Sequence, residues 1–183
     1  MDPTTAMNQS DTLITGLIGG LTPDDRERST PCDEWTVHEL VGHMCGGAQM
    51  IAGALQGEAM PSDPPDFLAD GPVAGWAAAS ASLSAAATPE ALAATHTLPF
   101  GEMTGSMAVS VIVADQITHA WDLARATGQE LDLGDELAEF ALATWQPVIP
   151  AEGRTGPGFK AVVEVSDDAS TIDRLVAYTG RQP

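Results

Sequence analysis

A chain of 183 residues with 44% hydrophobic content is long enough to bury a full core, and residues 1–183 read as one domain. Its formal net charge is −19, with Lys160 the one lysine. Such a surface repels phosphate backbones and anionic lipid headgroups, so nucleic acid and membrane are excluded as expected partners.

No apolar run approaches membrane-spanning length, and the opening MDPTTAMNQSD has no basic stretch leading into an apolar core. Cys32 and Cys45 are too few for a disulfide framework. A cytoplasmic protein is the resulting expectation.

In chain order, Leu13, Leu17, Ile18 and Leu21 predict a first helix over 10–21. Thr22-Pro23-Asp24-Asp25 reads as a cap and a short acidic turn, followed by a loop over 29–35. Thr36 with Glu39 three residues on is a capping box, and the stripe Val37, Leu40, Val41, Met44, Ala48, Ile51, Leu55 continues it as a helix. Residues 57–71, rich in Pro, Asp and Gly, predict a loop. A small-residue helix over 74–87 suits close packing, within the monomer or between two copies in a homodimer. Thr88-Pro89-Glu90 caps a short helix to about residue 94. Residues 95–100 read as extended, with a turn at Gly101. Residues 106–127 form the longest predicted helix, closed by Gly128. Another helix spans 135–145 and stops before Pro147. A Pro/Gly loop covers 148–159, a short strand 161–165, and a last helix 170–178.

The chemistry concentrates in the long helix. Asp115 and His119 stand four residues apart, on one face and one turn apart, among apolar neighbours. An acid and an imidazole so placed can grip one divalent metal, although acid–histidine pairs at this spacing are also common on ordinary helices. His43, at the border of the other strongly striped helix, is a third candidate ligand, provided that the two helices lie side by side. Asp122 either orients the His119 ring or pairs with Arg125 three residues on. Cys45 reads as a small buried hydrophobe. Cys32 sits in a loop without a neighbouring positive charge in the sequence, which leaves its thiol unactivated. His38 falls in a first helical turn and reads as exposed, and His96 lies in a non-helical stretch. No G-x-S-x-G, P-loop or G-x-G-x-x-G motif is present, and no separate general base or nucleophile stands out.

Four blocks taken together are more specific than the ligand spacing. TPCDEWTVHELVGHM (30–44), PFGEMTGS (99–106), DQITHAWDLARATG (115–128) and DDASTIDRLVAYTGR (167–181) resemble, in the same order, the mycothiol-dependent maleylpyruvate isomerase family, and within it a short metal-binding branch from actinobacteria. The resemblance implies a mainly α fold, a DinB/YfiT-like four-helix bundle, here with short extra helices and a small C-terminal strand. It implies a divalent metal, zinc before nickel or manganese, held by His43, Asp115 and His119. Aspartate stands where the characterised isomerase has glutamate, and the C-terminal portion is shorter. Mycothiol becomes the expected co-substrate.

The expected function is therefore that of a thiol-dependent metalloenzyme, an isomerase or S-transferase acting on a small electrophile. The alternative is a non-catalytic metal- or thiol-binding regulatory module. A plain bundle with packed histidines and no metal is the third reading.

Overall fold

The computed structural model describes residues 1–32, 35–59, 61–152, 154 and 159–183. Parts of the predicted loops, at 33, 34, 60, 153 and 155–158, lie outside the described residues. The order is α1 (Pro3–Gly19), a 3-10 turn (Pro23–Asp25), α2 (Val37–Leu55), α3 (Pro72–Ala86), α4 (Pro89–Ala93), β1 (Thr95–Leu98), β2 (Gly101–Thr104), α5 (Gly105–Thr127), α6 (Asp135–Val148) and α7 (Thr171–Tyr178). The protein is mainly α.

Four helices close a ring: α1 packs on α3, α3 on α2, α2 on α5 and α5 back on α1. Their apolar stripes meet in one cluster that includes Ile14, Ile18, Leu40, Met44, Ile51, Leu83, Val109, Ile117 and Leu123. Helix α6 lies on α5 outside the ring, and α7 packs against α6. Polar pins set helix rotation across the bundle. The Trp76 indole N–H on α3 donates to Asp11 Oδ1 on α1 at 3.0 Å, and the Trp145 indole N–H on α6 donates to Thr118 Oγ1 on α5 at 3.1 Å.

Helix starts follow the caps. The Thr36 N–H donates to Glu39 Oε2 at 2.8 Å and the Glu39 N–H to Thr36 Oγ1 at 3.3 Å, the reciprocal bonds of a capping box. Thr36→Ala is expected to destabilise the protein by about 1 kcal/mol, with most of that recovered in Thr36→Ser. Urea unfolding checks this, and an unchanged midpoint in the alanine variant would refute it.

Three boundaries differ from the sequence expectation. Helix α1 starts at Pro3 rather than residue 10, because Asp2 accepts the backbone N–H groups of Thr4 and Thr5 at 3.1 and 3.0 Å and Pro3 takes the first helical position. Helix α6 runs through Pro147 to Val148 and then stops, as Ile149 N–H donates to Trp145 O at 2.8 Å. Having no N–H, Pro147 makes no bond back to the turn before it, and the helix ends one residue later. Residues 161–165 take no regular secondary structure and join no sheet among the described residues; Val163 N–H donates to Ala177 O at the end of α7. The strand pair of the fold is instead β1–β2, a hairpin with Leu98 opposite Gly101 around Pro99 and Phe100.

Candidate metal centre

The capping box fixes where α2 begins and hence which way His43 points. Leu40 and Met44 beside it are fully buried. His43 lies on the flank of that stripe, its side chain 35% exposed. In α5, Asp115 and His119 share one face, with side chains 19% and 5% exposed. Contact between α2 and α5 brings the three together.

The Asp115 carboxylate stands between the two rings. Its Oδ2 is 3.3 Å from His43 Nε2 and its Oδ1 is 3.5 Å from His119 Nε2. One donor atom from each residue falls within 4.8 Å of the other two. Two donors on a tetrahedral zinc, each about 2.1 Å from the ion, would stand about 3.4 Å apart. Both observed gaps are close to that value, with the carboxylate turning one oxygen to each ring, and the 3.3 Å contact to His43 is a long hydrogen bond. The donor set of two imidazoles and a carboxylate suits a borderline divalent ion, so these residues fit the group that the sequence implies.

Behind His119 lies a second layer of support. His119 Nδ1 is 2.9 Å from Asp122 Oδ2, which directs Nδ1–H to Asp122 and leaves Nε2 turned to Asp115. Asp122 is itself fully buried and held by Arg181, whose guanidinium donates from Nη2 to Oδ2 at 2.8 Å and from Nε to Oδ1 at 3.2 Å. Of the two roles open to Asp122, the structure selects orientation of the ring. Arg125 turns the other way, 5.4 Å over the Trp121 ring.

Electrostatics follow from this chain of charges. Burial opposes the charged form of His119, but the carboxylates of Asp115 and Asp122 outweigh it and push its pKa up to about 9. Burial also opposes a charged Asp115, yet His119 and His43 hold its carboxyl well below the usual range. Asp122 is likewise lowered, as His119 and Arg181 overcome its desolvation. The metal-free cluster thus keeps a proton on His119 between two carboxylates.

Trp35 completes the site. Its indole stacks on His43 with ring centroids 4.3 Å apart and 26° between planes, and meets His119 edge-on at 5.6 Å. The sequence reading gave Trp35 no role; its place directly before the capping Thr36, one loop residue from a ligand-bearing helix, was the available signal. Arg181 closes the last of the four family blocks, yet neither periodicity nor spacing gives it a role. The expectation that Cys32 has no positive charge nearby is corrected: Arg181 interacts electrostatically with it. Cys32 also groups with His119 and Asp122 within 4.8 Å. The Arg181 guanidinium already supplies a cation to Asp122 there, which disfavours a second metal. Cys45 is fully buried, and burial pushes its thiol up to about 11, as fits a packed hydrophobe. His38 is half-buried, with its Nε2 3.0 Å from the Arg26 guanidinium. His96 lies on β1 with its Nε2 2.7 Å from the Ala91 carbonyl oxygen. Neither joins the cluster.

A cleft of about 760 Å³ opens beside His43, between α2 and the Pro-rich segment that follows it. No helix among the described residues is long and apolar enough to cross a membrane.

Residues 8–98 match the family described as the mycothiol maleylpyruvate isomerase N-terminal domain. Uncharacterized proteins from two strains of Mycobacterium tuberculosis are each 35% identical over 184 residues, spanning 99% of this chain and 98% of their own length. No solved structure matches the chain.

Proposed function

The chain belongs to the mycothiol maleylpyruvate isomerase N-terminal domain family, and on that premise we propose that it is a divalent-metal enzyme, with zinc the metal, that uses a small thiol to attack a small electrophile. The observation that carries this reading is the convergence of His43, Asp115 and His119 from two helices, with donor gaps of 3.3 and 3.5 Å. A metal bound there supplies Lewis acidity that lowers the pKa of a thiol or water and polarises a carbonyl.

The protein's own residues do the rest. Asp115 supplies the negative charge of the ligand set. Asp122 keeps the proton of His119 on Nδ1, so that Nε2 is free to act as a donor. Trp35 covers one face of His43 and keeps water from it. Three protein ligands and a partly exposed His43 leave a side open, which favours catalysis over a closed structural or sensing site. In an isomerisation the thiol sulfur adds to a conjugated double bond, the resulting single bond rotates, and elimination returns the thiol. In an S-transfer the new S–C bond stays and a leaving group departs. Mycothiol is the first thiol to try, on the strength of the family.

The test is elemental analysis of tag-free protein prepared without chelator, for wild type and His119→Ala, followed by assays for thiol-dependent turnover. About one metal per chain, lost in the variant, is expected. Wild-type protein that takes up neither zinc, nickel nor manganese would overturn the proposal.

A further inference from the structure

We propose that the cleft beside His43 is the subsite for the electrophile, and that it takes an elongated apolar molecule, uncharged or cationic, and turns away dicarboxylates. The inference rests on the metal reading above, because His43 is both a ligand and part of the cleft wall.

One wall of the cleft is a single face of α2. His43, Gly46, Met50 and Gly53 follow at helical spacing, so the backbone itself forms much of the floor. The Phe67 ring lies directly on that floor: a Cβ added at Gly46 would come 3.1 Å from its Cε2. Pro64 and Pro65 continue the same wall. A ligand in this trough meets mostly carbon, and apolar surface gains from burial there.

Charge sharpens the selection. Among the described residues lining the cleft there is no lysine or arginine, and Glu58 carries the fixed charge. Its Oε2 lies over Gly53, 3.6 Å from where a Cβ would stand. Gly53 is ten residues beyond His43, about 15 Å along the helix axis. A ligand anchored at the metal therefore reaches a carboxylate at its far end. A cationic or hydrogen-bond-donating tail is matched there. A dianion held at the metal by one carboxylate would turn the other, shorn of water, against proline, phenylalanine and Glu58, with no lysine or arginine to receive it, on a chain of net charge −19. This separates the chain from a dicarboxylate substrate such as the maleylpyruvate of the family's name.

The experiment uses the full chain loaded with cobalt(II), whose d–d bands report occupancy of the metal site before any ligand is added. Three thiols of matched length, long enough to run from the metal to Glu58, then serve as probes, read by thiolate-to-cobalt charge transfer: decane-1-thiol, 10-aminodecane-1-thiol and 11-mercaptoundecanoate. The first two are expected to bind at least tenfold tighter than the third. Glu58→Lys, at an exposed position, is expected to weaken the amino thiol at least fivefold, strengthen the carboxylate thiol, and leave the d–d bands unchanged. 11-Mercaptoundecanoate binding as well as decane-1-thiol, or an order unmoved by Glu58→Lys, would overturn the inference. Normal d–d bands without charge transfer from any thiol would sink the inference alone. Absent d–d bands would sink the metal reading and the inference with it.

Discussion

Arg181→Met is expected to destabilise the metal-free protein by about 3–5 kcal/mol and to weaken zinc binding by about 10- to 100-fold. Asp122 has no exposed surface and Arg181 is 6% exposed, so neither can exchange its partner for water. Removing the guanidinium leaves a buried carboxylate with His119 as its remaining charged partner, and that is the costly half of a broken buried pair. The affinity falls for a related reason. Without Arg181, the negative charge of Asp122 is spent wholly on His119, which then holds its proton more tightly against an incoming metal. Urea unfolding and zinc competition measure the two effects. A second variant separates this from simple loss of packing. Asp122→Asn added to Arg181→Met removes the stranded charge and should recover at least about 1 kcal/mol. A double variant as unstable as the sum of the two single ones would show that the carboxylate is not the cause.

Arg181 also marks the limit of what the chain discloses as text. Elements with a local signature were legible: Thr36 with Glu39, Thr88 with Pro89, and Gly128, whose φ of 71° closes α5 in the left-handed conformation. The start of α1 was equally local, since Asp2-Pro3 is a cap followed by a first-position proline. The apolar stripe, which begins only at Leu13, hides it. Strand β2 has no alternation of its own and forms because Gly101, at φ 129°, lets the chain fold back onto β1. The stretch at 161–165 carries strand-like residues, but a strand needs a neighbour, and the Val163 N–H bonds to the end of α7 instead. In the site, Asp115 and His119 follow from helical period alone. His43 joins them through the packing of α2 on α5, which the two apolar stripes suggested and the family blocks reinforced. The bond from Arg181 to Asp122 spans 59 residues and has no period to betray it. The choice between Arg125 and His119 as partner of Asp122 follows from packing: α5 buries Asp122 and His119 and leaves Arg125 exposed.

The second large effect is one of pH. In the metal-free protein His119 binds its proton more tightly when folded than the ordinary value of 6.5, at about 9. A raised folded pKa contributes stability that is complete below pH 6.5 and is lost as pH rises toward 9. For a side chain only 5% exposed, that contribution is on the order of 3 kcal/mol. Asp115 and Asp122, held low, contribute above pH 3.8 and stay ionised through this window, so they do not mask the loss. Zinc needs the same nitrogen without its proton. Its affinity should therefore rise about tenfold per pH unit between 6.5 and 8.5, roughly a hundredfold in all, with about one proton released per ion bound. Titration calorimetry in two buffers of different ionisation enthalpy counts that proton, and chelator competition gives the slope. Metal-free and zinc-loaded protein should then diverge as pH rises, the first losing stability while the second gains it. An affinity that stays flat across the window would mean that His119 is already neutral at pH 6.5, and that Asp115 faces the rings as a ligand held ready, without a proton to displace.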